Sequence, residues 1–224
     1  MNKPLPITRD TFVIADTHFG HKNVTEFEPS RQVATVDGGY ENQEEMLIDK
    51  WNSVVGPDDH IIVLGDYAWK GIKEYTRRLN GKIELIVGNH DRRGSHAYMD
   101  AGFQYVYHTI IDSTSGSYSW SLGNDNPYLS AAVVKVGSQR ILFSHYPIDF
   151  YEDYYTKQRT KDLTETIKEL TDTVSTLGIT INVHGHTHSK IVPDTDTLRY
   201  LNVSCENLDF TPIRVGDLLE AAGC

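Results

Sequence analysis

The chain is poor in cysteine and lacks any long apolar segment. Only Cys205 and Cys224 occur in 224 residues, which is too few for a disulfide scaffold, so both are expected to be reduced and chemically inert. No stretch approaches the roughly 18 apolar residues that a membrane span needs. The first ten residues contain no apolar run of the kind that a signal peptide has. We therefore expect a cytoplasmic protein with no membrane partner.

Basic residues are also scarce. The chain has 21 Lys and Arg against 31 Asp and Glu, which gives a formal charge of −10. Binding to nucleic acid in general needs clusters of Lys and Arg, because these neutralise phosphates and release counterions. No such cluster occurs, so general nucleic-acid binding is not expected. A phosphate substrate is still allowed, since bound divalent cations dominate the field inside a site.

What the sequence does have is a series of apolar segments that alternate with helical patterns. We predict strands at residues 12–15, 60–64, 83–87, 140–143 and 179–183, and helices at 41–54, 72–79 and 161–177. A segment rich in Ser, Gly and Asn, residues 113–128, is predicted to be a loop or hairpin tip. The alternation favours a layered α/β fold, and the absence of a linker favours a single domain over residues 1–224.

Five short polar elements lie where these predicted strands end. In chain order they are Asp16-x-His18, Gly65-Asp66, Gly88-Asn89-His90-Asp91, His145 and Gly185-His186-Thr187-His188. Each element alone is a weak signal, and His145 by itself is more typical of a structural residue than of a ligand. Five in order are a stronger signal, because clusters of ionisable residues at strand ends mark active sites. The glycines among them would let the backbone approach a crowded metal centre.

The side chains in these elements are oxygen and nitrogen ligands. Such ligands suit Mn²⁺, Fe, Zn²⁺ or Ni²⁺ rather than a zinc site built from thiolates. Residues i and i+2 project to the same side of a strand edge, so Asp16 with His18, and His186 with His188, are expected to converge. By the same alternation, His184 should point to the opposite face of the sheet and be structural.

As a set, these elements resemble the signature of the calcineurin-like metallophosphoesterase superfamily, and they span residues 16–188. The resemblance implies a layered β-sandwich flanked by helices, with two divalent metal ions at the strand ends. At matching positions it implies a first ion bound by Asp16, His18, Asp66 and His188, and a second bound by Asp66, Asn89, His145 and His186. Asp66 would bridge the two ions, and His90 matches the catalytic histidine of the family.

The chemistry that this implies is hydrolysis of a phosphate ester by metal-activated water. Two ions about 4 Å apart lower the pKa of a bridging water, hold the phosphoryl oxygens and neutralise charge in the transition state. His90 would bond a phosphate oxygen or protonate the leaving alkoxide. His21, Arg92 and Arg93 are candidates for substrate contacts, since an Arg fork suits a phosphate. The arginines fit a solvated pair at a helix start equally well, and His21 fits a hydrogen bond to a nearby carboxylate.

Departures from the signature narrow the subclass. Serine/threonine phosphatases of the superfamily have Gly-Asp-x-x-Asp-Arg-Gly, whereas residues 65–71 here are Gly-Asp-Tyr-Ala-Trp-Lys-Gly. Trp69 thus stands where those enzymes have the Asp that orients the catalytic His, which disfavours a protein phosphatase. Residues 16–23 resemble compact stand-alone members from bacteria and phages.

We therefore predict a phosphodiesterase that acts on a small nucleotide or related molecule. A phosphomonoesterase or a pyrophosphohydrolase is the alternative within the class. A metal-dependent protein-interaction module would be expected to have lost His90 or several ligands, which this chain keeps. A nuclease for long DNA is disfavoured by the acidic charge.

Overall fold

The computed structural model describes residues 3–91, 93–107, 109–114, 130–148, 172 and 175–224. The strands are β1 (Phe12–Ile14), β2 (His60–Leu64), β3 (Lys82–Ile86), β4 (Tyr105–Tyr107), β5 (Ile110–Asp112), β6 (Ala131–Val136), β7 (Gln139–Ser144), β8 (Ile181–His184), β9 (Arg199–Asn202) and β10 (Ile213–Arg214). The α-helices are α1 (Val24–Phe27), α2 (Pro29–Asp37), α3 (Gln43–Val54), α4 (Ile72–Thr76), α5 (Ser95–Ala101) and α6 (Val215–Ala221), and a 3₁₀ helix covers Cys205–Leu208. Most of the predicted helix at 161–177 and of the predicted loop at 113–128 lies outside the described residues.

The strands form two five-stranded sheets. The first has the order β10-β1-β2-β3-β4, in which β1 to β4 are parallel and β10 is antiparallel to β1. The second has the order β5-β6-β7-β8-β9, in which only the β6–β7 pair is antiparallel. The mixed α/β fold, with two parallel-rich sheets flanked by helices, confirms the predicted fold class.

Strand β2 shows how the layers pack. Ile61 and Val63 belong to an apolar cluster with residues of α3, α4 and α5, while Ile62 and Leu64 belong to a second cluster with residues of the other sheet. Both faces of the strand are therefore buried, one by helices and one by strands. This explains why the strand appears in the sequence as a continuous apolar run rather than an alternating one.

Helix boundaries depend on local capping. Helix α3 begins at Gln43 rather than at residue 41, because the side chain of Asn42 accepts a hydrogen bond from the backbone N–H of Glu45 at 2.9 Å. Helix α4 ends at Thr76, earlier than the predicted residue 79. No described helix combines the length and the apolar character that crossing a membrane requires.

Five strand ends carry the polar motifs. The predicted strands agree with β1, β2, β3, β7 and β8 to within two residues at each end. The turns that follow them are hydrogen-bonded to each other, since Asp16 N–H donates to the Gly65 carbonyl at 3.1 Å and Gly185 N–H to the His145 carbonyl at 3.0 Å. The fold therefore gathers the motifs at one edge of the two sheets.

Candidate metal centre

The motif residues occupy tight turns after the strands. Asp16, His18, Asp66, His186 and His188 have φ angles of 57°, 48°, 54°, 69° and 50°, all in the left-handed region. Asp16 and His18 do converge as expected, but not through the extended strand geometry that was predicted to bring them together. Left-handed turns bring these side chains together instead. A residue other than glycine held in this region costs about 1–3 kcal/mol, so the site stores backbone strain.

Glycines make room for these turns. A Cβ atom on Gly65, whose φ is +85°, would lie 2.5 Å from Nδ1 of His145. A Cβ atom on Gly185 would lie 2.5 Å from Oδ2 of Asp16. Any side chain at these two positions would collide with the candidate ligands. This agrees with the prediction that the glycines let the backbone approach a crowded metal centre.

Four side chains form one group of candidate ligands. Nε2 of His145 lies 2.9 Å from Oδ1 of Asn89, 3.2 Å from Nδ1 of His186 and 3.7 Å from Oδ2 of Asp66. On the other side of the ring, Nδ1 of His145 lies 2.8 Å from the carbonyl oxygen of Leu64. A carbonyl only accepts, so Nδ1 carries a proton and donates it to Leu64, and Nε2 is the ring nitrogen whose lone pair would bind a cation in the group.

A second group lies beside the first. Asp16, His18 and His188 each offer one ligand atom, and these atoms lie within 4.8 Å of one another. The rings of His18 and His188 are stacked, with centroids 5.1 Å apart. Nε2 of His18 is 3.5 Å from Oδ2 of Asp66. This oxygen of Asp66 therefore lies between the two groups.

Buried polar atoms test whether a metal fits here. Asp16 and His18 are 0 % and 5 % exposed, and Oδ1 of Asp16 and Nδ1 of His18 have no hydrogen-bond partner among the residues that the structure describes. Burying such groups without a partner costs several kcal/mol, which a bound cation offsets. Carboxylate and amide oxygens with imidazole nitrogens are ligands of divalent transition metals. The residues fit a divalent metal site.

The electrostatics of Asp66 and His186 agree with this interpretation. Burial, together with the neighbouring carboxylates of Asp16 and Asp91, raises the pKa of Asp66 to about 7 against the opposing effect of His145. Burial lowers the pKa of His186 well below its usual value. Carboxylates crowded in this way need a cation to remain ionised, and a neutral imidazole is the form that binds a metal.

A buried ion pair that the sequence did not reveal supports the second group. Nε and Nη2 of Arg31 contact Oε1 of Glu206 at 2.7 and 2.5 Å, and both side chains are at most 1 % exposed. The same oxygen lies 3.0 Å from Nδ1 of His188. Burial alone would raise the pKa of Glu206, but the hydrogen bond from His188 and the charge of Arg31 bring it to about 2. The pair thus orients the His188 ring with Nε2 towards the site.

Arg31 also holds the first motif in place. Its Nη2 donates to the carbonyl of Asp16 at 2.5 Å, and its Nη1 donates to the carbonyl of Thr17 at 3.1 Å. Arg31 lies in α2 and Glu206 in the 3₁₀ helix, far from each other in the sequence and outside every motif. The one available signal was chemical, because a histidine that binds a metal usually donates its other N–H to a carboxylate.

Asp91 belongs to the third motif but does not face the metal centre. Its carboxylate accepts hydrogen bonds from the backbone N–H groups of Asp66, Tyr67 and Gly88 at 2.7, 3.1 and 2.8 Å, and from the Tyr98 hydroxyl at 2.9 Å. It thereby ties together the turns that follow β2 and β3.

His90 lies on the solvent side of the site. Its backbone N–H donates to Oδ1 of Asp66 at 2.8 Å, and its Nε2 is 4.0 Å from Oδ2 of the same carboxylate. The side chain is 33 % exposed and lines a cleft of about 440 Å³. The ring can therefore reach a bound ligand without belonging to either group.

The candidate substrate contacts differ in their position. His21 lines the cleft, with its ring centroid 5.7 Å from that of His18. Arg93 is exposed on the loop before α5 and does not line the cleft. Arg92 lies outside the described residues. His184, expected to be structural, is buried, and its Nδ1 donates to the Gly185 carbonyl at 2.8 Å.

Comparison with known proteins identifies the family. Residues 11–190 match the model of the calcineurin-like phosphoesterases. The chain belongs to this family. The resemblance carried by the motifs is thereby confirmed, and this calcineurin-like phosphoesterase is a metal-binding hydrolase of phosphate esters. The match contains Arg31 and all the candidate ligands but ends before Glu206.

Relatives of this phosphoesterase occur in phages and archaea. The gene 66 protein of Mycobacterium phage L5 is 27% identical over 197 residues, which cover 82% of this chain and 79% of that protein. An uncharacterized protein of Methanocaldococcus jannaschii is 36% identical over 94 residues, or 38% of this chain and 49% of that protein. The crystal structure of a protein of unknown function from Aquifex aeolicus has the same fold, with a TM-score of 0.67 at 21% identity over 94% of this chain and 98% of that one.

Proposed function

We propose that this phosphoesterase hydrolyses a phosphodiester, that of a small nucleotide or a related molecule, at a dinuclear metal centre. The first ion would be held by Asp16, His18, Asp66 and His188, and the second by Asp66, Asn89, His145 and His186. When bound, divalent ions such as Mn, Fe, Zn or Ni supply an activated water and neutralise charge on the phosphoryl oxygens.

The position of Asp66 is the observation that carries this proposal. Its Oδ2 lies 3.5 Å from Nε2 of His18 and 3.7 Å from Nε2 of His145. One carboxylate oxygen would therefore serve both groups of ligands. Oδ1 of Asp66 accepts the His90 N–H, so the residue that joins the groups also fixes the backbone of the candidate acid.

His90 supplies the proton in this proposal. A third of its side chain is exposed, and its ring centroid lies 5.5 Å from that of His18. A phosphate in the cleft would meet the ring from the solvent side. His90 would bond a phosphoryl oxygen and protonate the leaving alkoxide, the task of a general acid.

The lining of the cleft favours a diester over a monoester. Lys190 lines it and no arginine does within the described part of the chain, although a dianionic monoester would gain most from the fork of a guanidinium. Val24 and Phe27 form an apolar part of the wall. A diester carries one negative charge and a second ester group, and that group would contact this apolar surface.

The test combines metal content with hydrolysis of matched esters. We expect two metal equivalents per chain and a higher kcat/KM for a nucleoside phosphodiester than for the monoester or pyrophosphate that shares its nucleoside. His90→Ala should keep both equivalents but lose about 10²–10⁴-fold in kcat on an alkoxide leaving group. It should lose less on bis-nitrophenyl phosphate, because nitrophenolate leaves without protonation. Equal losses on both esters would show that His90 positions the phosphate, and loss of metal would show that it is a ligand.

A further inference from the structure

A row of aromatic side chains borders the cleft. We call Phe27, His21 and Trp69 the aromatic rim. The ring centroid of His21 lies 4.6 Å from that of Trp69, with the planes at 80°, and 6.3 Å from that of Phe27, with the planes at 65°. His21 also contacts the ring of the candidate ligand His18. The rim therefore extends from the metal centre outwards.

The outer rings of the rim are exposed. Phe27 is 72 % exposed and Trp69 is 49 % exposed. The backbone at Trp69 is nevertheless held in place, because Tyr67 and Ala68 before it are buried and the backbone N–H of Trp69 donates to the Phe19 carbonyl at 2.9 Å. Its exposed surface adds little to the core. An indole that is partly in water and is carried on such a backbone beside an active site is suited to contact a ligand.

A second cavity lies on the other side of His21. It has a volume of about 270 Å³ and is lined by Gly20, His21, Lys22, Asn23, Trp69 and Lys70. Two of these residues are cationic and none is acidic, although the chain as a whole carries a charge of −10. An aromatic face next to two ammonium groups suits a ligand that combines an aromatic ring with negative charge.

We propose that Trp69 stacks on a nucleobase of the substrate, which lies in this second cavity while the scissile phosphate ester lies in the metal cleft. Lys22 and Lys70 face an anionic group near that base. This rests on the proposed phosphodiesterase function and adds the part of the site that selects the substrate. Stacking of a base on an aromatic side chain corresponds to about 5- to 150-fold in affinity.

The kinetic test uses two diesters that differ only in the base: the methyl ester of adenosine 5′-phosphate and the methyl ester of ribose 5-phosphate. Trp69→Ala should raise KM for the adenosine ester by about 5- to 150-fold, much more than for the ribose ester. Trp69→Phe should retain most of the preference for the adenosine ester, since the phenylalanine ring can still stack on the base. Val33→Ala is the matched control, because Val33 is 58 % exposed on α2 and lines neither cavity; it should leave both esters unaffected.

The split between KM and kcat separates stacking from an indirect effect. The Trp69 ring centroid is 5.3 Å from that of His90, so the variant also changes the surroundings of the candidate acid. An equal fall in kcat for both esters, with an unchanged KM ratio, would show that Trp69 acts through His90 and would overturn the stacking proposal.

A binding measurement distinguishes failure of this proposal from failure of the proposed function. In a Trp120→Phe background the remaining tryptophans are Trp69 and Trp51, and Trp51 is only 1 % exposed. Adenosine monophosphate should quench the fluorescence saturably, ribose 5-phosphate should not, and Trp69→Phe should remove the response. Quenching without diester hydrolysis would refute the phosphodiesterase and retain the stacking site. Hydrolysis of the adenosine ester without quenching would refute the stacking site alone.

Discussion

The two groups of candidate ligands are supported in different ways. Behind His188, the support is charged, because the buried Arg31–Glu206 pair fixes the ring and the first motif. Behind His145, the support is the backbone, because the Leu64 carbonyl fixes the ring. On this same side, the Asp91 carboxylate accepts three backbone N–H groups in addition to the Tyr98 hydroxyl.

This difference determines how strongly a substitution on each side should destabilise the protein. Removing one partner of a buried ion pair leaves a charge without its counterion in a medium of low dielectric constant. Support from the backbone is divided among several hydrogen bonds, and no side-chain substitution removes the Leu64 carbonyl. The charged support should therefore be the more sensitive of the two, while Asp66, which lies between the groups, should affect both.

The largest effect is expected for Asp66→Ala. If one carboxylate serves both groups, this variant loses two metal equivalents rather than one. Each ion contributes several kcal/mol to transition-state stabilisation, so kcat/KM should fall by more than about 10³-fold. Metal analysis of the purified variant measures how many equivalents are lost. Loss of a single equivalent would mean that the two groups bind independently.

Removing the cation from the charged support comes next. Arg31→Met leaves the buried Glu206 carboxylate with His188 alone, and it should lower the free energy of unfolding by about 3–5 kcal/mol. Urea unfolding with chelator present measures this without a contribution from bound metal. The double variant Arg31→Met/Glu206→Gln should recover part of the loss, because no buried charge is left unmatched. If Arg31→Met alone lowers the free energy of unfolding by less than about 1 kcal/mol, the charged support is not the more sensitive of the two.

The same measurement on the backbone side should give a smaller loss. Asp91→Asn replaces one carboxylate oxygen with an amide N–H that faces donors, and should cost about 1.5–3 kcal/mol, the value of a hydrogen bond to a charged group. Tyr98→Phe is its control, since it removes one of the four bonds and should cost about 0.5–1.5 kcal/mol. A greater loss for Asp91→Asn than for Arg31→Met would reverse the proposed order.

Glu206→Gln leaves the buried Arg31 without its counterion and should destabilise the fold as Arg31→Met does, but the effect that is specific to this variant is a smaller one on metal binding. The amide still accepts a hydrogen bond from His188, yet without the negative charge the imidazole is a weaker ligand. We expect metal affinity to fall by about 10–100-fold, measured by competition with a chromophoric chelator. Glu45→Gln is the matched control, because Glu45 pairs with Arg78 on the surface. Equal affinity in the two variants would show that the His188 contact does not tune the metal site.

The sequence predicted the strands that carry the motifs because both local and chemical signals were strong. Strands β1 and β2 bury apolar residues on both faces, and a turn that contains Gly or Asp begins within two residues of the end of β1, β2 and β3. It did not reveal several other strands. Strand β10 has two residues, and β4 and β5 have three each, which is too short for periodicity to stand out from chance. Their pairing depends on neighbours supplied by the rest of the fold.

The candidate site also contains residues that the sequence predicted and residues that it did not reveal. The ligands lie in contiguous motifs, so residue type and order pointed to them. The positions of Arg31 and Glu206 could not be inferred, because their pairing joins residues 175 apart and neither stands in a motif. The turn geometry was also missed, because left-handed φ at Asp16 and His18 is imposed by tertiary contacts such as the Arg31 hydrogen bonds, not by local preference.

The late position of Glu206 in the chain has a consequence for assembly during synthesis. The ribosome makes the chain from its N-terminus at about 5–20 residues per second, so Arg31 is made long before its counterion. Val203 and Cys205, which form hydrogen bonds with Ala15, are made at the same late stage. Strand β10 then covers the open edge of β1. A nascent chain that already has all its motif ligands therefore still lacks the support for His188. Maturation of the metal centre should therefore wait until residues 203–214 have left the ribosome, well after the motif ligands have done so.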